Sequence, residues 1–145
     1  MKSFVDVGEK VINRIKVVTV FLMYEGKILL LKRSAKVRTM NGMWAGISGY
    51  LEDVNPLVQA LKEISEECGL SESQVHLLKS AEPLEVRDAQ FSNFIWIVYP
   101  FLFESSTKSI RLDWEHDEYI WINPIELGNY KTVPKLNEAL EKLFH

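Results

Sequence analysis

The stretch NPLVQALKEISEECGL, residues 55–70, decides how this chain is built. Asn55 is a strong helix cap, Pro56 suits the first helical position, where a missing N–H costs nothing, and Gly69 suits the left-handed residue just past a helix end. The spacing predicts a helix from Pro56 to about Cys68. Leu57, Ala60, Leu61, Ile64 and Cys68 recur with a 3.6-residue period and form one apolar stripe that must face a core. At about 100° per residue, Glu63, Glu66 and Glu67 fall within a sector of roughly 100° centred about 120° from that stripe. They are expected to point away from the core.

The acidic face works against helix stability. Glu63 stands three and four residues before the other two, which costs roughly 0.2–0.5 kcal/mol per like-charge pair, and the helix dipole disfavours Glu66 and Glu67 in the last turn. Burying each leucine or isoleucine contributes roughly 1.5–3 kcal/mol, so the helix forms regardless. A Glu-rich helix face is by default merely solvated. Its alternative use is to hold a hard divalent cation, because Mg²⁺ prefers carboxylate oxygens and bridges to phosphate.

Read from Gly49, the segment GYLEDVNPLVQALKEISEECGL resembles the signature of the Nudix hydrolases, which cleave a nucleoside diphosphate linked to another moiety. That signature is Gly-x5-Glu-x7-Arg-Glu-U-x-Glu-Glu-x-Gly-U, with U a bulky aliphatic residue. Lys62 stands at the Arg position, and Glu63, Ile64, Ser65, Glu66, Glu67, Cys68, Gly69 and Leu70 follow in register. The first half departs: Gly49 lies one residue too close to Lys62, and Val54 occupies the place of the first Glu. In the family that Glu and the Arg are usually an ion pair tying loop to helix, so their joint replacement looks like one structural tie exchanged. Gly49-Tyr50-Leu51-Glu52 keeps the family's Gly-x-U-Glu entry.

The resemblance implies an α/β fold, a Nudix-like α/β/α sandwich with a mixed β-sheet. It implies hydrolysis of a phosphoanhydride by water with Mg²⁺ or Mn²⁺ held by Glu63, Glu66 and Glu67, the backbone carbonyl of Ser48 as a further ligand, and Glu63 ahead of Glu67 as the base. The substrate implied is a small nucleotide. A homodimer is compatible with the resemblance and not specified by it. Two alternatives share the scaffold: a non-catalytic nucleotide-sensing module, and an enzyme like isopentenyl diphosphate isomerase, which would need a cysteine in an active-site loop.

The rest of the chain fits this frame. Its 145 residues, 47% hydrophobic, suit one domain over 1–145 with a real core. A net charge of −3 provides no basic field for nucleic acid. The longest apolar run, Val17 to Tyr24, is too short to span a bilayer, and the start of the chain, with Lys2, Asp6, Glu9 and Lys10, lacks a signal-type apolar region. A cytoplasmic protein is expected. The lone cysteine, Cys68, excludes an internal disulfide and lies on the apolar stripe as a packing residue.

Val17–Tyr24 and Lys27–Lys32 read as strands joined by a tight Glu25-Gly26 hairpin, with a short strand before them around Phe4–Val7. Residues 34–43 read as a loop in which Lys36 and Arg38, with Lys32 and Arg33 ahead of it, could steer phosphate; Arg33, Lys36 and Arg38 are the candidate substrate contacts, with Glu52 beside them. Trp44 to Leu51 resembles the strand leading into the signature, Trp44 being a packing residue first. Val75–Val86 and Phe91–Phe103 read as a long antiparallel pair turning at Arg87-Asp88-Ala89-Gln90, with Pro100 marking an edge or bulge. Ile110–Trp114 and Tyr119–Ile122 read as strands flanking Glu115-His116-Asp117-Glu118. The resemblance makes Glu115 and Glu118 candidates for an extra metal or substrate contact. His116 reads first as a solvated loop histidine. Pro134–Phe144 reads as a closing amphipathic helix with Leu136, Ala139, Leu140 and Leu143 on one stripe.

Overall fold

Asn55 accepts a hydrogen bond from the Leu57 N–H at 2.9 Å, Pro56 opens the helix, and Gly69 closes it at φ 72° by donating to the Ser65 carbonyl. The helix α1 spans Pro56–Cys68, as its caps dictate. The computed structural model describes residues 2–7, 10–52, 55–87 and 94–144. Val54, the expected turn at Asp88, Ala89 and Gln90, and the expected strand start at Phe91 lie outside them.

Nine described strands form one mixed sheet. They are β1 (Lys2–Val7), β2 (Lys10–Tyr24), β3 (Lys27–Arg33), β4 (Trp44–Ala45), β5 (Ile47–Tyr50), β6 (Val75–Ser80), β7 (Leu84–Arg87), β8 (Phe94–Ser105) and β9 (His116–Ile122). A second helix, α2, covers Leu136–Leu143. The hairpin between β2 and β3 turns on Glu25 and Gly26, both at positive φ, the conformation that suits a two-residue turn between twisted strands. At the centre β2 runs parallel to β8, Asn13 facing Phe94 and Met23 facing Glu104. Strands β1, β3 and β5 pair antiparallel with β2, and β9 pairs antiparallel with β3.

Successive residues of a strand point to opposite faces, and here both faces are covered. Val18, Val20, Leu22, Leu29, Leu31, Phe101 and Phe103 pack with Ala60, Ile64 and Cys68 of α1. Their neighbours Phe21, Ile28, Leu30 and Leu102 pack with Leu136, Ala139, Leu140 and Leu143 of α2. The result is the expected α/β/α sandwich. Trp44 packs against the second cluster with its ring edge-on to Tyr130, 5.8 Å between centroids, as a packing residue should.

Several boundaries differ from the sequence reading. The expected strand over Val75–Val86 is two, because Ala81-Glu82-Pro83 interrupts it, and both halves pair with β8. Pro100 therefore lies in an interior strand and not at an edge. A residue's N–H and C=O point to the same side of a strand, and the Pro100 carbonyl accepts from the Ala81 N–H, so the donor that proline lacks faces the break between β6 and β7. Trp44 to Leu51 also splits in two at Gly46, where the backbone passes so close to the Val20 carbonyl that a Cβ would stand 2.9 Å from it. Ile110–Trp114 is not a strand; Ile110 and Leu112 rest on the first core from a loop. Helix α2 starts at Leu136 because Lys135 is left-handed, at φ 66°. No described helix is long and apolar enough to cross a membrane.

Candidate active site

The apolar stripe of α1 fixes its rotation, and that rotation sends the carboxylates somewhere the helical period alone does not reveal. Glu63 and Glu67 are buried, 7% and 3% exposed, and only Glu66 is open to water. All three stand off the apolar stripe, as the period requires, but only Glu66 meets solvent, because β5 and the loop ahead of β9 cover the helix on the side of the other two.

Gly49 makes the cover possible. It sits opposite Val18 on the α1 face of the sheet, and a Cβ there would overlap the Glu63 carboxyl group. Gln59, 1% exposed, accepts the Glu52 N–H at 3.1 Å with its carbonyl oxygen and so turns its amide nitrogen toward Glu63 Oε1, 3.4 Å away. The Ser48 backbone N–H donates to the Glu67 carboxylate. On the other face of β5, the Ser48 and Thr19 hydroxyls lie 3.1 Å apart.

The loop before β9 closes the site. Asp113 Oδ1 accepts the Glu115 N–H at 3.2 Å and stands 3.3 Å from His116 Nδ1. Ser34 holds this loop to the end of β3, its N–H donating to the Glu115 carbonyl and its hydroxyl to the Trp114 carbonyl. Glu115 is thereby brought to the helix carboxylates. Glu118 is not: it pairs across the strands with Lys32 at 3.3 Å, and Lys32 stands 6.0 Å from the Trp44 ring on the α2 face. His116 is a correction. The reading of a solvated loop residue fails, since its side chain is only 2% exposed and its Nε2 stands 3.7 Å from Glu67 Oε1.

Arg33 turns its Nε and Nη2 to the Thr39 carbonyl, at 3.1 and 3.0 Å, and clamps the loop that carries the exposed Lys36 and Arg38. It also stands close enough to Glu115 to favour that group's charge. Glu52 is exposed. Sequence reasoning missed Asp113, Gln59 and the burial of His116. Asp113 lies only two residues before Glu115 in the same acidic stretch, the one signal that could have found it.

Burial pushes the Glu63 carboxyl up to about 7, helped by Glu66 and Glu115 and opposed by Gln59 and Lys62. Glu67 is raised well above the usual carboxylate range by burial first, then by Glu63, Glu115 and Asp113. Glu115 is raised by burial and by Asp113. Burial lowers His116 despite Asp113. It also raises the Cys68 thiol, which makes that residue the inert packing group expected.

The energetic consequence has a sign. A carboxyl group that holds its proton more tightly in the fold contributes stability that is full below about 4.5 and is lost as pH rises through about 7. Glu63 alone should therefore lower the melting temperature of the metal-free protein by about 3–8 °C between pH 5 and pH 8, a loss of roughly 1–2 kcal/mol once solvent screening is allowed for, with the lowered His116 working in the opposite direction. Melting curves over that range check this, and Glu63→Gln should flatten the slope.

A site that strains carboxylates together invites a cation. Glu63, Glu67 and Glu115, with Glu66 at the rim, offer hard oxygen donors suited to Mg²⁺ and not to a thiolate-seeking metal. As the side chains stand, no three acidic, imidazole or thiol groups among the described residues already meet at ligand spacing. The fit rests on the chemistry of the donors.

A family model described as the NUDIX domain matches residues 13–144. The chain is 27% identical over 121 residues to a protein of Klebsiella pneumoniae (strain 342) named nucleoside triphosphatase NudI, a match covering 79% of this chain and 85% of that one. Its fold is similar to a C. elegans Ap4A hydrolase solved as a binary complex, with TM-score 0.71, 17% identity and coverage of 88% and 93%. It is also similar to a MutT protein from Methanosarcina mazei Go1, with TM-score 0.69, 24% identity and coverage of 93% and 94%.

Proposed function

This chain belongs to the NUDIX domain family, and on that footing we propose that it hydrolyses a phosphoanhydride bond in a nucleoside diphosphate derivative with the help of Mg²⁺. The observation that carries the reading is the convergence of Glu63, Glu67 and Glu115 in a site where, among the described residues, no lysine or arginine forms an ion pair with them. Such a cluster is costly to the apo fold and useful only if something positive is bound there.

Each residue has a task in this reading. Glu63, Glu66, Glu67, Glu115 and the Ser48 carbonyl would hold the cation. Bound there, a divalent ion would supply charge to neutralise the diphosphate and to make water a better nucleophile. Glu63 takes the proton of the attacking water, the general-base task. Gln59 and Gly49 keep Glu63 in place. Lys36 and Arg38, on the loop Arg33 clamps, draw the phosphates in, with Arg33 and Glu52 at the entrance. Glu118 is left to its pair with Lys32. The burial of Cys68 argues against isomerase-like chemistry, which would need an exposed thiol.

We take the chain as one such domain, acting on small nucleotides in the cytoplasm, where a lone unpaired thiol is at home. The name of the Klebsiella relative puts nucleoside triphosphates first in a substrate panel, followed by dinucleoside polyphosphates, ADP-ribose and nucleotide sugars. Release of phosphate or pyrophosphate with Mg²⁺, abolished by exhaustive chelation, is the expected result. Turnover that survives chelation undiminished would overturn the reading.

A further inference from the structure

We propose that His116 is a positioning residue that fixes the Glu67 carboxylate, and that an irregularity in the sheet exists to aim it there. Counting alternately back along β9 from Ile122 and Ile120, which pack on the α2 side, residues 118 and 116 should lie on the α2 face too. Glu118 does, opposite Lys32. His116 does not. The pairing steps from Lys32↔Glu118 to Arg33↔His116, so β3 advances one residue while β9 advances two, and Asp117 is the extra residue of a β-bulge. A bulge reverses the facing of what lies beyond it, and here it carries the imidazole to the α1 face against Glu67.

The ring is held from behind. Asp113 Oδ1 faces Nδ1 at 3.3 Å, and that carboxylate is itself fixed by the Glu115 N–H. The His116 N–H closes the same turn on the Asp113 carbonyl. With Nδ1 engaged by Asp113, the Nε2 edge remains for Glu67, 3.7 Å away, and both side chains are almost wholly buried. The Ser48 N–H grips the same carboxylate from the sheet. Glu67 is thus gripped by the Ser48 N–H on one side and on another faces, at 3.7 Å, the ring that Asp113 orients. Orienting contacts of this kind behind a metal ligand typically change metal affinity by about 10- to 100-fold.

The proposal deepens the hydrolase reading and rests on it for the role of Glu67 as a ligand. Its test separates the two ring nitrogens. A glutamine amide reaches the place of Nε2 and an asparagine amide that of Nδ1. Metal-free crystal structures of His116→Gln and His116→Asn, beside Mn²⁺ titrations followed by the resonance of free Mn²⁺, are the measurements. Glu67 is expected to keep a single rotamer in the wild type and in His116→Gln, and to lose it in His116→Asn. Mn²⁺ should bind about tenfold or more weakly to the Asn variant alone. If both variants leave the Glu67 rotamer unchanged, or both disturb it equally, His116 merely fills space and the proposal is wrong. Should the wild type bind no Mn²⁺ and hydrolyse nothing in the panel, the hydrolase reading fails, while the Glu67 rotamer still decides the positioning role.

Discussion

Glu63→Gln is expected to lower kcat by about 10²- to 10⁴-fold, with no recovery at high Mg²⁺, because added metal does not replace a missing proton acceptor. Glu66→Gln and Glu67→Gln should behave differently. They weaken the hold on the cation, so part of their lost rate should return as Mg²⁺ is raised. The metal-free Glu63 and Glu67 variants should melt no lower than the parent, since each removes a carboxylate whose charge burial disfavours. Rate against Mg²⁺ for the three variants, beside metal-free melting curves, checks all of this. Equal recovery of all three would make Glu63 a ligand only and move the base to Glu67 or Glu115.

Gly49→Ala is expected to be nearly as damaging to the rate. The backbone at Gly49 has no positive φ, so alanine is conformationally acceptable there and only space opposes it. That space is taken by the Glu63 carboxyl, which contacts the place of the new methyl through its carbon and both oxygens. Either Glu63 swings away or β5 and α1 separate. Misplacing a catalytic group by about 1 Å can cost on the order of 10²-fold, and overpacking costs typically 1–3 kcal/mol. A fall of about a hundredfold in kcat with a drop of several degrees in melting temperature is the expected pair of results. Full activity in a folded Ala variant would show that Glu63 works from another position.

What the sequence disclosed about fold and site follows the range of each interaction. Asn55, Pro56 and Gly69 act on their own helix ends, so α1 was legible to the residue, and its stripe was legible from period alone. The Glu25-Gly26 turn was local as well. The fate of Glu63 and Glu67 was not, because a helical wheel gives direction from the axis and says nothing of what stands in that direction. Only the docking of β5, through a glycine without a side chain, turns an outward-facing acid into a buried one. The bulge at Asp117 was invisible for a related reason: pairing register belongs to two strands, and no feature of EHDEYIWI marks where β3 and β9 fall out of step. The division of Val75–Val86 was available in principle, since Pro83 stands in the middle of it.

The parallel pairing of β2 with β8 bears on how the chain acquires its structure in time. It joins Asn13 to Phe94 and Met23 to Glu104, so the centre of the sheet closes only after most of the polypeptide lies between its two halves. Contacts so distant along the chain exact a large loop-closure entropy before they return anything, and topologies built on them fold slowly. Helix α1 is under no such delay, because its caps and period are complete within residues 55–70. It can form and dissolve within microseconds while the sheet is still open. Glu63 and Glu67 thus begin as ordinary hydrated carboxylates and become proton-hungry only when β5 and β9 arrive, which makes assembly of the acidic site a late event of folding.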